Sequence, residues 1–212
     1  MSYIISPPEE TALQAHLQKL RTQLHQDPEL SWQEHRTTRL VRRELEALGL
    51  EPVPLGLPTG TAALLRGALP GPTVGLRADL DALPITERTG AEFSSRVPGV
   101  MHACGHDIHM AALLGAARLL AARRDRLAGN VLFLFQPAEE AATGAMQVLE
   151  QGLFRRVPMA GMLALHVWPG LAQGQLGIRS GAILSAVDSF EITVTGRGGH
   201  GSAPERACNP IP

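Results

Sequence analysis

The chain has few aromatic residues and few cysteines, and these shortages argue against several protein classes. Only 4% of its 212 residues are Phe, Trp or Tyr, so Leu, Ala, Val and Ile must supply most of any hydrophobic core. Its two cysteines, Cys104 and Cys208, are too few for the disulfide framework of a small secreted domain. The hydrophobic fraction of 44% permits a sizeable core, which argues against a wholly disordered chain.

The sequence also lacks an excess of either charge and any long apolar run. Its 19 basic and 20 acidic residues give a net charge of −1, which argues against a broad basic surface for nucleic acid or anionic lipid. No apolar run approaches the ~18 residues of a membrane span. The first ten residues lack the basic and then apolar segments of a signal peptide. We therefore expect a cytoplasmic protein with no nucleic-acid or membrane partner.

The pattern of apolar residues predicts alternating helices and strands. Helical spacing predicts helices over 8–25, 31–48 and 106–124, and a further helix that follows Glu140 and ends near Gly152. The predicted strands are 60–67, 72–78, 131–137 and 161–168. This order predicts an α/β fold, with a largely parallel sheet flanked by helices. Beyond Pro169, the segments 175–181 and 188–196 are predicted to be consecutive strands, and a second, smaller domain is predicted to begin near 180–187.

Chemically active side chains follow the predicted strands where each strand ends, or lie in a loop before a helix. They are Asp79 and Asp81, Glu139 and Glu140, His166, and the loop residues Cys104 and His106. Because the carboxyl ends of parallel strands meet at one edge of a sheet, we expect these side chains to lie close together. A thiolate, two imidazoles and a carboxylate suit zinc, manganese or cobalt. His102 and His109 of the same segment could be further ligands, but we expect them instead to support the ligands or to cap a helix.

Each of these residues also has an ordinary structural explanation. A lone cysteine such as Cys104 is usually a small buried apolar residue. Adjacent acids such as Glu139 and Glu140 are often solvated residues of the first turn of a helix, and a histidine on an apolar strand, such as His166, usually belongs to the core. All of these explanations would have to hold at the same edge of one sheet, so together they account for the pattern poorly.

Metal-assisted hydrolysis is the mechanism that fits the set. A metal ion acidifies a water molecule, and a carboxylate that is not a ligand takes the proton. Either Glu139 or Glu140 could coordinate while its neighbour acts as the base, and the residues alone leave the choice open. Asp81 could orient a ligand by hydrogen bonding.

Two other motifs have weaker claims. The segment 196–201, GRGGHG, matches the dinucleotide fingerprint G-x-G-x-x-G, but the residues after it contain two prolines and no helical period, so we reject it. Cys104 and His106 could form a protease nucleophile and base. Such pairs normally come from distant segments with a third orienting group, so a spacing of two residues supports this weakly.

Six motifs occur in order along nearly the whole chain. They are LHQDPELSWQE (24–34), LRADLDALPI (76–85), MHACGHDIH (101–109), FQPAEE (135–140), LHVWPG (165–170) and GRGGHGSAP (196–204). Together they resemble the bacterial N-acyl-amino-acid amidohydrolases, which include hippurate hydrolase and the plant indole-acetyl-amino-acid hydrolases. These belong to the larger aminoacylase and carboxypeptidase family of two-metal peptidases. The resemblance implies a zinc-peptidase-like fold, two divalent ions (Zn, Mn or Co) and a small α+β lid domain that mediates dimerisation.

The resemblance also implies a role for individual residues. The implied metal ligands are Cys104, His106, Glu140 and His166. Glu139 takes the role of general base, and Asp81 matches the acid that supports a metal ligand. His200 matches a lid-domain histidine that reaches the partner subunit's site and stabilises the oxyanion. His25 and Glu34, in the N-terminal motif, are interpreted as structural.

The chain departs from the family pattern at three places. Asp79 stands where the wider family often has a histidine, so we do not expect it to be a ligand. The family continues through its lid and returns to supply a last histidine ligand that this chain does not contain, and 206–212 lack the usual acid before Pro-Ile. We therefore expect 1–182 to be the N-terminal part of a catalytic domain and 183–212 to be the start of a lid.

Two hypotheses about function follow. The first is a metal-dependent amidohydrolase that cleaves N-acyl amino acids, with hippurate-like substrates, by a metal-activated water and a glutamate base. The alternative is a truncated, non-catalytic remnant of such an enzyme with weak or no metal binding. An incomplete lid would also weaken the dimer that the resemblance implies.

Overall fold

The computed structural model describes residues 6–184, 186, 188 and 190–211. The chain divides into two compact units, of which the first ends at Ala172 and the second begins at Gln173. The predicted boundary between 182 and 183 separates the catalytic and lid domains of the family, which these compact units do not define, so it stays a prediction.

The first unit contains a five-stranded sheet in the order β1-β2-β4-β3-β5. The strands are β1 Glu51–Val53, β2 Thr61–Arg66, β3 Leu69–Asp79, β4 Ala128–Gln136 and β5 Gly161–Ala164. Strand β3 pairs in parallel with β4 and β5, whereas the β1–β2 and β2–β4 pairs are antiparallel. The predicted α/β class is thus confirmed, but the sheet is mixed. Only residues 67–68 connect β2 to β3, and parallel strands need a crossover of about a dozen residues or more.

Helices cover both faces of this sheet. They are α1 Pro7–Gln26, α2 His35–Ala47, α3 His106–Ala121, α4 Gly144–Glu150 and α5 Leu153–Arg156, with short 3₁₀ turns at Arg124–Arg126 and Pro204–Arg206. Alternate residues of β4 serve the two faces: Val131, Phe133 and Phe135 pack in the core formed with α1–α3, while Leu132 and Leu134 pack with residues of α4 and α5. Across the described residues, every helix is too short or too polar to cross a membrane.

Two predicted elements near the site end or begin elsewhere. The helix expected directly after Glu140 begins only at Gly144, so Glu139 and Glu140 lie in a turn. The last strand ends at Ala164, so His166 follows it instead of lying within it.

The second unit contains little regular structure in its described part. Its described residues include no strand, and the predicted strands 175–181 and 188–196 are not found there; Ser189 lies outside the described residues. The backbone groups of a strand must bond to a neighbouring strand, and no described segment pairs with 190–196. Phe190, in the same segment, is 87% exposed, so the predicted apolar face is not buried. One bridge joins Arg197 to Cys208. No α-helix follows 196–201 in the described residues up to 211, in line with our rejection of the dinucleotide fingerprint.

Candidate metal centre

The carboxyl ends of β3 and β4 bring the candidate residues together. Asp79 pairs with Gln136 at the ends of these two parallel strands, so the segments that follow them leave the sheet side by side. Helix α3 begins at this edge with His106. Within the described residues, three groups each place their ligand atoms within 4.8 Å of one another: Cys104/His106/His166, Asp79/His106/His109 and His106/Glu139/Glu140. His106 belongs to all three groups, so it is the centre of the cluster.

The ring of His106 is held in one orientation with its other nitrogen left unpaired. His106 is fully buried, and its Nδ1 lies 2.8 Å from the Asp81 carbonyl oxygen, to which it donates. Its buried Nε2 has no hydrogen-bond partner among the described residues. It lies 3.6 Å from an Asp79 oxygen and 3.8 Å from an oxygen of each of Glu139 and Glu140. A buried nitrogen without a partner, facing carboxylates, is what a bound cation would satisfy.

The electrostatics around His106 favour a positive charge. Burial lowers the pKa of His106, but the hydrogen bond to Asp81 and the charges of Asp79 and Asp81 outweigh it, so the net shift is upward. The cluster therefore attracts either a proton or a metal ion to this position. The donor types present, thiol, imidazole and carboxylate, fit a divalent transition metal.

Asp81 uses its carboxylate to hold the turn that carries the two glutamates. Oδ1 accepts the N–H of Glu139 at 3.0 Å, and Oδ2 accepts the N–H of Glu140 at 2.9 Å and the hydroxyl of Ser31 at 2.7 Å. Burial alone would raise the pKa of Asp81, but the hydrogen bonds from His106, Ser31 and this turn lower it. Asp81 is thus an ionised support for the turn and for His106.

The glutamate turn also depends on a strained residue that the sequence did not reveal. Ala138 adopts a φ of 49°, a left-handed conformation that is uncommon for a non-glycine residue. Its N–H donates to Glu34 Oε1 at 2.8 Å, and the hydroxyl of Thr59 donates to the other Glu34 oxygen at 2.7 Å. The fully buried Glu34, which was interpreted only as structural, therefore fixes the peptide between Pro137 and Ala138, at the start of the glutamate turn.

The two glutamates of the turn differ in exposure. The side chain of Glu139 is 40% exposed, while that of Glu140 is 20% exposed and has a buried Oε1 without a partner. Burial raises the pKa of Glu140, the charge of His106 opposes this, and the net shift is upward. The more buried, unpaired carboxylate is suited to coordinate, and the more exposed one is accessible to a substrate.

Cys104 and His166 form a close pair beside this turn. Cys104 Sγ lies 3.3 Å from His166 Nε2, because His166 Nδ1 donates to the Val167 carbonyl at 2.8 Å and so turns Nε2 toward the sulfur. Burial, followed by the charge of Glu140, raises the pKa of the Cys104 thiol to about 12. A cysteine protease needs a thiolate as its nucleophile, so a raised thiol pKa disfavours that role for Cys104. A bound cation, in contrast, would favour deprotonation of the thiol.

A histidine of the N-terminal motif, His25, supports the start of helix α3. His25 Nδ1 lies 2.9 Å from Asp107 Oδ2, which also accepts a bond from Arg21 at 2.8 Å. Asp107 directly follows His106 on α3, so this ion cluster anchors the start of the helix.

His102 is buried, and neither of its ring nitrogens has a hydrogen-bond partner among the described residues. Burial lowers the pKa of His102 to about 4, so its ring is neutral near pH 7.

His200 lies in the second unit, apart in sequence from the other candidates. It is exposed, and its Nδ1 lies 2.9 Å from the Ser202 hydroxyl. Its predicted role at an oxyanion stays a prediction, as do the ligand and base roles of the clustered residues.

Comparison with known proteins identifies relatives over most of the chain. The model of peptidase family M20/M25/M40 matches residues 75–208. An N-acetylcysteine deacetylase of Bacillus subtilis is 44% identical over 203 residues, which cover 95% of this chain and 53% of that protein. An N-acyl-L-amino acid amidohydrolase of Geobacillus stearothermophilus is 43% identical and is covered to 51%.

A solved structure agrees with these relatives. It is a Bacillus subtilis protein described as a dinuclear metal binding peptidase of the M20 family, 45% identical with a TM-score of 0.77, and the match covers 80% of this chain and 47% of that one. The chain thus spans about half the length of the curated relatives and the structure that it matches.

Proposed function

The chain belongs to peptidase family M20/M25/M40, and from this premise we propose that the protein is a metal-dependent amidohydrolase of N-acyl amino acids. The observation that carries the proposal is the unpaired, buried Nε2 of His106, in a residue that clusters with a thiol, a second imidazole and two glutamates. The names of two relatives, a deacetylase of an N-acyl amino acid and an N-acyl-L-amino acid amidohydrolase, support the substrate class.

The proposed metal site holds two divalent ions, zinc, manganese or cobalt. Its ligands from this chain are Cys104, His106, Glu140 and His166. Two ions are proposed because the similar solved structure is described as dinuclear. Asp81 has its carboxylate lone pairs engaged with the glutamate turn, so it supports the site and does not coordinate.

The chemistry follows from the position of the remaining carboxylate. Bound divalent ions would supply the positive charge that acidifies a water and polarises an amide carbonyl. Glu139 takes the proton from the attacking water, whose oxygen bonds to the carbonyl carbon, and returns it to the nitrogen as the C–N bond breaks. The products are a carboxylic acid and a free amino acid, so atoms and protons balance.

The remaining parts of the proposal concern the whole protein. Residues 183–212 begin a lid domain through which two subunits pair, and His200 reaches the partner's site to donate to the oxyanion. The working location is the cytoplasm, and no nucleic acid or membrane takes part. Hippurate-like compounds serve as the first substrates to test.

Hydrolysis of hippurate and N-acetylcysteine by the full-length gene product tests the proposal. We expect turnover that chelation abolishes and Mn²⁺, Zn²⁺ or Co²⁺ restores. Glu139→Gln should lower kcat by about 10²–10⁴-fold without loss of metal, because it removes only the base. Glu150→Gln, on an exposed acid at the end of α4, is the matched control and should leave turnover unchanged. Turnover that survives both chelation and Glu139→Gln would overturn the proposal.

A further inference from the structure

His109 is buried beside the proposed ligands, yet both of its ring nitrogens are already engaged. Nδ1 donates to Asp79 Oδ1 at 2.6 Å, and Nε2 accepts the backbone N–H of Val167 at 3.0 Å. We propose that His109 is a positioning residue that orients the metal-binding side chain of His166 through the backbone of Val167. This inference rests on the proposed function in one respect only, namely that His166 binds metal.

The donor side of His109 is anchored at the carboxyl end of strand β3. Asp79, at the end of β3, also accepts a bond from Arg77 Nη1 at 2.7 Å, and Arg77 Nε donates to Gln136 of β4 at 3.0 Å. Asp79 is 1% exposed and His109 is 6% exposed, so water competes little for these bonds. The ring of His109 is thus held by a charged residue whose own position is fixed by two paired strands.

The acceptor nitrogen of His109 binds the segment around Val167, which lies beyond the end of strand β5. Strand β5 ends at Ala164, so the peptide of Val167 has no ladder partner in the described chain. Its N–H bonds to His109, and its carbonyl accepts the Nδ1–H of His166 at 2.8 Å. The backbone of Val167, through its N–H and its carbonyl, therefore links the two imidazoles, and a shift in its position would turn the His166 ring.

Val167 also fits against the loop that carries the other ligands. A Cβ added to Gly105 would lie 2.6 Å from Val167 Cγ2, and Gly105 has a φ of 82°, so only glycine suits this position between Cys104 and His106. The Val167 side chain consequently packs the segment that carries His166 against the Cys104–His106 loop. The two histidine rings, His109 and His166, are in edge contact with centroids 4.6 Å apart.

A ligand role for His109 is the competing explanation. Asp79, His106 and His109 place ligand atoms within 4.8 Å of one another. Coordination by His109 would require it to give up the Val167 N–H or the Asp79 carboxylate. The first loss would leave a partly buried donor unpaired, and the second would leave a buried carboxylate oxygen unpaired. The observed bonds therefore favour positioning.

Two substitutions separate these roles. In His109→Gln the amide oxygen can occupy the place of Nε2 and accept the Val167 N–H. In His109→Asn the shorter amide can still donate to Asp79 but cannot reach Val167. The measurement is calorimetric titration of the full-length gene product with Co²⁺ and Zn²⁺, accompanied by a metal count at saturation and by circular dichroism.

We expect His109→Asn to weaken metal binding about 10–100-fold at unchanged stoichiometry, and His109→Gln to stay within about 3-fold of the native affinity. Should the Asn variant not fold, the Gln variant alone decides by the same criterion. Loss of one ion per chain at saturation in His109→Gln would show a ligand and overturn the proposal, as would native affinity in a folded His109→Asn. The readout is metal affinity, so the proposal stands or falls separately from any activity on N-acyl amino acids.

Discussion

Replacing Asp81 by asparagine tests the support that holds the glutamate turn. The carboxylate accepts three donors: Glu139 N–H on one oxygen, and Glu140 N–H with the Ser31 hydroxyl on the other. An asparagine can keep the bonds from the Glu140 N–H and the Ser31 hydroxyl on its single oxygen only if its NH₂ group faces the Glu139 N–H. One bond to a charged group, which stabilises by about 1.5–3 kcal/mol, is then lost, and the other two weaken to neutral hydrogen bonds.

Burying a neutral amide is less costly than burying a carboxylate, which offsets part of this loss. We therefore expect Asp81→Asn to lower the free energy of unfolding by about 2–4 kcal/mol. We also expect it to lower metal affinity by about 10–100-fold, because the turn that carries Glu140 loses its bond at the Glu139 N–H and shifts. Urea denaturation in the presence of a chelator measures the first quantity without a contribution from metal binding, and calorimetry measures the second.

Ser31→Ala is the matched control, because it removes one donor to Asp81 and leaves the two backbone bonds of the turn in place. Because Ser31 is only partly buried, this variant should lose about 1.5 kcal/mol of unfolding free energy, the low end for a bond to a charged group. It should bind metal nearly as the native protein does. An Asp81→Asn variant that is as stable as Ser31→Ala and binds metal with native affinity would refute the reasoning.

Two further predictions concern stability alone. The bond to Asp107 raises the pKa of His25 despite the opposing effect of burial, so its stabilising effect is complete below its ordinary pKa of about 6.5 and is lost as pH rises through the folded-state value. His25→Gln should therefore lower the free energy of unfolding more at pH 6 than at pH 9, and a pH-independent loss would contradict this. Gly144→Ala should destabilise by about 1–3 kcal/mol or more, because the added Cβ would lie 1.7 Å from the Pro137 carbonyl oxygen, whereas Gly161→Ala, with no atom within 4 Å of its added Cβ, should cost far less. Equal losses in these two glycine variants, measured by thermal or urea unfolding, would count against the crowding at Gly144.

The local elements were predictable because their signals are local. Apolar spacing located α1, α2 and α3 to within a few residues, and the apolar run at 131–137 located β4. The order of the strands was not predictable in this way. Strand β4 lies between β2 and β3, which are consecutive in sequence, and such pairing depends on contacts between distant residues. The alternation in 188–196 shows the same limit, since alternation predicts a strand only where a neighbour can pair with it.

The gathering of the site residues was predictable from strand ends, but their internal support was not. The acids, imidazoles and thiol of unit one do meet at one sheet edge, as the order of strands and helices indicated. Nothing in the sequence signals the left-handed Ala138, because this conformation normally selects glycine or asparagine. Likewise the sequence favoured a supporting role for His109 over a ligand role, but it did not reveal the two groups to which His109 bonds.

The near-ultraviolet absorption spectrum of the Co²⁺-loaded protein tests most directly whether this cluster binds metal. Cys104 is the only proposed thiolate ligand, and the other cysteine, Cys208, lies in the second unit and is exposed. The account predicts a thiolate-to-cobalt charge-transfer band that persists in Cys208→Ser and disappears in Cys104→Ser. A native protein without this band, or a band that survives in Cys104→Ser, would contradict it.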